Sequence, residues 1–340
     1  MLTRPAASLL VDAGLATRLL DLDLIRTAVE DAFRAHARPG AVQPSTTGLH
    51  VPDGTFHVKS AVNLPVPREP RYFVAKVNAN FPANPVRHGL PTIQGLLVLF
   101  DADRGLPLAI MDSGAVTVIR TAAATAVAVK HLARPDAATM AIIGCGAQAA
   151  AQVAAVLRVR PVEEITACDR DTDAAERLAR QLQADHGVLT RVVTSPSEAA
   201  RECAIVVTAT TASAPFLTVG DMSPGCLVVA VGADNPRKNE IDPVLMAAAA
   251  VVTDQTAQCA KMGDLYHAIE AGAMTAADVR AELGAVVADS SLGRRSPDEI
   301  IVFDSTGLAF QDIAAAVLIV DRLRDDPGAP TFRFAALSAA

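Results

Sequence analysis

The chain has 340 residues, 51% of them hydrophobic and 20% charged, with a formal net charge of −7. That length suffices for two compact lobes around separate cores, and the composition is that of a folded globular chain rather than a disordered one. An acidic balance without any basic block argues against nucleic acid or an anionic membrane as the main partner.

The start of the chain has no long apolar segment after a basic end, so no secretory signal is expected. Residues 19–37 place Leu20, Leu22, Leu24, Ile25, Val29 and Phe33 near helical spacing, with acids early and Arg34 and Arg38 late, which predicts an amphipathic helix. Between residues 42 and 80 the pattern changes to short alternating runs, 55–60 and 72–77, punctuated by Pro65, Pro67 and Pro70. These predict antiparallel strands joined by turns, with residues 78–82 as a turn and residues 40–54 and 77–88 contributing loops. Residues 92–100 and 106–111 predict a further strand pair around a hairpin turn at 101–105. Residues 116–132 form an alanine-rich helix. Its apolar stretch, 114–129, is broken by Arg120 and reads as too short to span a bilayer, hence as an interior helix.

From residue 138 onward, strands and helices alternate. Strands are predicted at 138–143, 165–169, 204–209, 227–231 and 249–253, then at 300–303 before a helix at 309–323. Such alternation implies α/β architecture with a Rossmann-type doubly wound parallel sheet over residues 126–305. Residues 1–125 form an α+β domain, completed by the C-terminal helical segment 306–340.

The first of these strands feeds Gly144-Cys145-Gly146-Ala147-Gln148-Ala149, and helix formers follow to about Leu157. A dinucleotide-binding βαβ unit needs Gly144 for the tight turn and Gly146 so that backbone N–H groups can approach a pyrophosphate at the helix N-terminus. Asp169 follows at the distance from which a carboxylate receives the ribose hydroxyls of NAD. It would repel a 2′-phosphate, whereas Arg170 could pair with one, so NAD is the expected cofactor and NADP stays open.

Three further residues could carry chemistry. Lys76, in a strand-like run, is either a snorkelling edge lysine or a cation facing a cleft. Arg120, inside an apolar helix, needs an anion, either a structural carboxylate or a ligand's carboxylate or phosphate. Asp234 follows the 227–231 strand at the sheet's C-terminal edge, where open α/β folds bind ligands; it is either a turn residue or a proton donor and acceptor beside the nicotinamide. The seven histidines show no metal-ligand spacing and no GxSxG element occurs, so neither a metal nor acyl-enzyme chemistry is expected. The cysteines, 145, 168, 203, 226 and 259, form no CxxC pair and read as reduced thiols in a cytoplasmic protein.

In order along the chain stand KVNANFP from Lys76, GLPT ending at Thr92, IRTAAATAVA around Arg120, GCGAQA, VGADNPRKNEID around Asp234 and VFDSTGLAFQD near the end. With these motifs in register over nearly its whole length, the chain resembles the ornithine cyclodeaminase/mu-crystallin family, which includes alanine dehydrogenase, ketimine reductase and lysine cyclodeaminase branches. The resemblance implies that the α+β domain binds substrate and forms a homodimer. It implies Lys76 and Asp234 as catalytic residues, and Lys76, Arg120, Lys59 and Thr306 at the substrate. At the cofactor it implies Thr92, Arg120, Thr121, Gly144, Gly146, Ala147, Gln148, Asp169, Arg170, Thr210, Lys238 and Ser305. One departure stands out. Where the family carries an arginine as a second carboxylate clamp this chain has Thr46, within Gln43-Pro44-Ser45-Thr46-Thr47, and Lys59 is the nearest substitute.

The expected activity is NAD(P)-dependent reduction of an α-imino acid, or the reverse oxidation of an amino acid. A small amino- or imino-acid substrate is expected, with no nucleic acid and no membrane as partner. The alternatives are an ornithine or lysine cyclodeaminase that releases ammonia and recycles NAD, and an NAD(P)H-dependent binding protein of mu-crystallin type.

Overall fold

Two sheets of opposite character organise the protein in its computed structural model, which describes residues 7–38, 42, 44–63 and 70–334. Gly40, Gln43, Pro65, Pro67 and residues 335–340 fall outside this set. The chain divides into one unit of Met1–Arg120 with Leu308–Ala340 and a second of Thr121–Gly307.

In the first unit, seven strands stand in the order Thr331–Phe332, Ser8–Val11, Leu106–Asp112, Ile93–Asp101, Tyr72–Asn80, Gly54–Val62 and Ser45–Val51. All neighbours are antiparallel except Ser8–Val11 beside Leu106–Asp112. Strand alternation sorts side chains onto two faces. Thr46 lies opposite Lys59, Lys59 opposite Lys76 and Lys76 opposite Leu97, so these four share one face. Val74 and Leu99 lie fully buried on it, and the helix Ala309–Leu323 packs over it. The opposite face carries Leu49, Phe56, Val77 and Leu96, which are exposed at 72%, 40%, 42% and 57%. A second helix, Leu22–His36, buries Ile25, Val29 and Phe33; the Phe33 ring meets Phe310 edge-on at 5.2 Å.

The structure corrects four sequence expectations here. The helix expected at 19–37 forms as Leu22–His36 and starts late, because Leu20 is extended and Asp21 caps it by accepting from the N–H groups of Asp23 and Leu24; a separate helix, Ala13–Leu19, precedes it. The loop at 40–54 contains the polar strand Ser45–Val51, held by pairing with Gly54–Val62. The turn at 78–82 is strand as far as Asn80, which pairs with both Thr55 and Ile93; ladder pairing on both sides overrides the low strand propensity of asparagine. Finally, the apolar helix Ser113–Leu132 has 20 residues and passes, by length and composition, as a membrane span; 67% of its apolar window is buried within the protein.

The second unit is an eight-stranded parallel sheet in the order Ala281–Glu282, Ala250–Thr253, Ile301–Asp304, Leu227–Ala230, Ile205–Thr208, Thr139–Ile143, Glu164–Cys168 and Leu189–Val193. The fold class is thus a doubly wound Rossmann-type sheet plus an α+β unit. Its strands are near-continuous apolar runs, as a sheet covered on both faces requires. The order reverses on either side of Thr139–Ile143, and that switch point is where such sheets hold ligands.

Candidate active site

At the switch point, Thr139–Ile143 ends in Gly144, whose φ is +95°. A Cβ there would stand 2.7 Å from the Ala209 carbonyl oxygen, so glycine alone fits both the conformation and the space. A Cβ at Gly146 would meet nothing within 4 Å. The backbone N–H groups of Gly146, Ala147 and Gln148 have no acceptor among the described residues. Three unengaged donors ahead of the helix Ala149–Leu157 match the donor set a pyrophosphate needs, so the residues fit a dinucleotide. Asp169 braces the turn: Oδ2 accepts from the Cys145 N–H at 2.6 Å and Oδ1 from Asp171 at 2.9 Å. Each oxygen retains a lone pair for a hydroxyl. Arg170 beside it is exposed.

Asp234 is 46% exposed, and its Oδ1 accepts from Lys238 Nζ at 2.8 Å and from Asn235 Nδ2 at 3.2 Å. Glu240 anchors this loop from below. Its buried carboxylate accepts from Thr208 Oγ1 at 2.7 Å, the Thr210 N–H at 2.7 Å and the Gly232 N–H at 2.9 Å, tying two strand ends to the segment that carries Asp234. Burial raises the Glu240 pKa, against these hydrogen bonds. Ser305 and Thr306 are buried within the same unit and both donate to Asp254, at 3.2 Å from Ser305 Oγ and 2.8 Å from the Thr306 N–H. Thr306 Oγ1 also accepts from Gln258 at 2.8 Å. Thr121 is nearly buried in the helix Ser113–Leu132.

The first unit holds the rest. Lys76 is no edge lysine: it is 3% exposed on an internal strand, and its Nζ lies 3.0 Å from Asp312 Oδ1 and 3.3 Å from Thr117 Oγ1. Arg120 donates through Nε to the same Oδ1 at 3.0 Å and through Nη1 to Gln311 Oε1 at 2.8 Å. Asp312 Oδ2 sits 2.8 Å from Nζ as an ionic contact outside hydrogen-bond geometry, and both it and Gln311 Nε2 lack a hydrogen-bond partner among the described residues. Burial and then the Arg120 guanidinium push the Lys76 pKa down to about 7, against the pull of Asp312. Burial alone would raise Asp312, but Lys76 and Arg120 outweigh it and hold it below the usual carboxylate range. Thr92 precedes the strand Ile93–Asp101, and its carbonyl accepts from the Phe81 N–H at 2.8 Å.

The structure therefore gathers Lys76, Arg120 and, by register, Lys59 and Thr46 in one unit, and Asp234, Lys238, Thr210 and the GCGAQA turn in the other. Asp312, Gln311 and Glu240 carry no role in the motif assignment. The legible signal for Asp312 is the one that marked Arg120, a charge inside an apolar helix.

Residues 10–326 match the family model described as the ornithine cyclodeaminase/mu-crystallin family. An uncharacterised cyclodeaminase of Sinorhizobium fredii is 40% identical over 311 residues, 90% of this chain and 92% of that protein. An archaeal alanine dehydrogenase dimer with bound NAD superposes with a TM-score of 0.89 at 32% identity, over 97% of this chain and 100% of that one. The Delta(1)-pyrroline-2-carboxylate reductase of Thermococcus litoralis, in complex with NADH and L-proline, gives 0.85 at 28% identity, over 93% and 97%.

Proposed function

The chain belongs to the ornithine cyclodeaminase/mu-crystallin family, and from that premise we propose that it is an NAD(P)-dependent imine reductase or amino-acid dehydrogenase acting at the Cα–N bond of α-imino and α-amino acids. The observation that carries this conclusion is the buried convergence of Lys76 and Arg120, two carboxylate-binding cations held ready on a single aspartate. The N–H groups of Gly146, Ala147 and Gln148 would hold the dinucleotide's pyrophosphate and Asp169 its ribose, which favours NAD. Bound nicotinamide supplies or accepts the hydride. Lys76 and Arg120 orient the substrate carboxylate, Arg120 through its planar fork, and Asp234, with Lys238 against it, transfers the proton at the substrate nitrogen.

A panel of α-imino acids, cyclic and formed from 2-oxo acids with ammonia, tests this with NADH and NADPH. Stoichiometric oxidation of the nicotinamide is the expected result. Ammonia released from ornithine or lysine without net nicotinamide oxidation identifies a cyclodeaminase instead. Tight cofactor binding with no turnover anywhere on the panel identifies a binding protein. Asp234→Asn should lower kcat by about 10²–10⁴-fold, the range for a general acid–base group, with cofactor affinity retained.

The protein is also proposed to act as a homodimer. Leu49, Phe56, Val77 and Leu96 make an exposed apolar row on the face of the sheet turned away from the helix Ala309–Leu323, and a second copy of the same row is the self-complementary cover for it. Leu49→Lys combined with Leu96→Lys should shift the sedimenting species from dimer to monomer; a sedimentation profile unchanged by the pair places the interface elsewhere.

A further inference from the structure

Next to the loop that carries Asp234, the second unit buries a chain of carboxylates, Asp304, Asp264 and Glu240, each gripping backbone N–H groups of the next segment. Asp304 accepts from the N–H groups of Asp264 at 3.3 Å and Leu265 at 2.9 Å, the first residues of the helix Asp264–Glu270. Asp264 Oδ1 accepts in turn from the N–H groups of Glu240 at 2.7 Å and Ile241 at 3.0 Å. Glu240 holds Gly232 and Thr210, and His267 of the same helix meets the Lys238 carbonyl through Nε2 at 2.9 Å. Residues 232–241 are thus tied down on both sides of Asp234. Two glycines make room for this: a Cβ on Gly232 would lie 2.3 Å from Glu240 Oε1, and one on Gly263 2.5 Å from Asp304 Oδ2.

The charges that weigh most on Asp264 are Asp304 and Glu240, both anionic. Asp304 in turn faces Asp254 and the Cys259 thiol of the helix Thr256–Met262, and the packed helix Pro243–Ala248 brings no titratable group. Burial, then Asp304 and Glu240, drive the Asp264 pKa well above its ordinary value, and burial, aided by Asp254, pushes Asp304 up to about 7. Ionising all three carboxyls together in this interior is costly. Every other oxygen of the three accepts from a donor; Asp264 Oδ2 alone is buried with no hydrogen-bond partner, which makes it the place for a proton. Among the described residues no group of His, Cys, Asp and Glu could hold a metal ion instead.

We propose that Asp264 is a positioning residue that works as a neutral carboxylic acid: Oδ1 fixes the loop that carries Asp234, while Oδ2 keeps a proton at neutral pH. This rests on Asp234 as the acid–base group proposed above. The proton is taken up from solvent on folding, since an aspartate in the unfolded chain is ionised at that pH. Its loss adds a charge beside Asp304 and Glu240 and loosens the loop. The folded pKa lies above the ordinary 3.8, so the stability that Asp264 contributes is lost as pH rises through its folded value. Asp304 acts in the same direction, through about 7.

Infrared spectra, amide exchange and kinetics of Asp264→Asn and Asp264→Ala test this. The wild type at neutral pH should show the carbonyl band of a protonated carboxylic acid, and Asp264→Asn, isosteric and neutral, should lose it. Between neutral and alkaline pH the unfolding midpoint of the wild type should fall more than that of Asp264→Asn, which has no proton to shed. Asp264→Ala should speed amide exchange over residues 232–241 and lower kcat by about 10²-fold with KM nearly unchanged, the cost of a misplaced acid–base group. Asp264→Asn should recover most of that loss, and if Asp264→Ala does not fold, the spectra and pH comparison of Asp264→Asn decide. A carboxylic-acid band that Asp264→Asn leaves in place, or an Asn variant as impaired as Ala, means that the ionised carboxylate holds the loop and overturns the proposal. Exchange over 232–241 that Asp264→Ala leaves unaltered overturns the positioning role. A wild type that reduces no imino acid defeats the reading of Asp234 alone, while spectra and exchange still decide the case of Asp264.

Discussion

Lys76→Met is expected to lower kcat by about 10²–10³-fold, the loss that follows removal of one preorganised charge-stabilising donor, with little change in cofactor affinity. The substitution keeps an apolar chain of similar length on the internal strand and leaves Asp312 paired with Arg120 at 3.0 Å, so the fold should survive. The pH profile then separates two roles. In the free protein Lys76 titrates near 7. If its ammonium binds the substrate carboxylate, kcat/KM falls as pH rises through about 7, and this limb disappears in Lys76→Met. A limb that rises through the same pH would instead mark the neutral amine as a proton acceptor. Burial of the carboxylate against Lys76 favours the ammonium, so the limb in kcat should lie at higher pH than that in kcat/KM.

Asp312→Asn is expected to destabilise the protein by about 3–5 kcal/mol, because removing one partner of a buried ion pair leaves uncompensated charge. Here two cations, Lys76 and Arg120, would face each other without an anion. The loss should be greatest at low pH and shrink at high pH, since the Lys76 amine can shed its proton and Arg120 cannot. The sign for Lys76 itself follows from linkage. Its folded pKa, about 7, lies below the ordinary 10.5, so between these values the unfolded chain binds more protons and stability rises with pH. Asp312 is the opposite case: its folded pKa is lowered, so its stabilisation is present above its ordinary pKa and is lost as pH falls through the folded value. Amide exchange in the strand Tyr72–Asn80 reports the change for this unit alone, which matters because two units need not unfold together.

The parallel sheet was legible because its strands are apolar runs bounded by turn residues, and the helix Ala309–Leu323 begins and ends where its periodicity does. Ser45–Val51 was not, since Ser-Thr-Thr-Gly-Leu-His-Val holds little apolar alternation and owes its strand form to Gly54–Val62. The short strands Ser8–Val11 and Leu189–Val193 likewise depend on partners distant in sequence or on the sheet's edge. In the candidate site, local motifs marked Gly144, Lys76, Arg120 and Asp234. Asp312 is marked locally only as a charge inside an apolar helix; which cations it pairs with lies in a contact across 236 positions, which no local pattern carries.

That separation bears on how the protein comes off the ribosome. The strands that carry Lys59 and Lys76 are made early, but the helix that covers their face is made only after all of Thr121–Gly307. The parallel unit is complete in one continuous stretch and can close first, whereas the antiparallel sheet waits with its inward lysines and its apolar outer row both wet. Nascent chains stalled before Ala309 should thus be the species most in need of a chaperone, and the aspartate that settles the charge of the site arrives on the helix that ends the exposure of the inner face, while the outer row stays exposed.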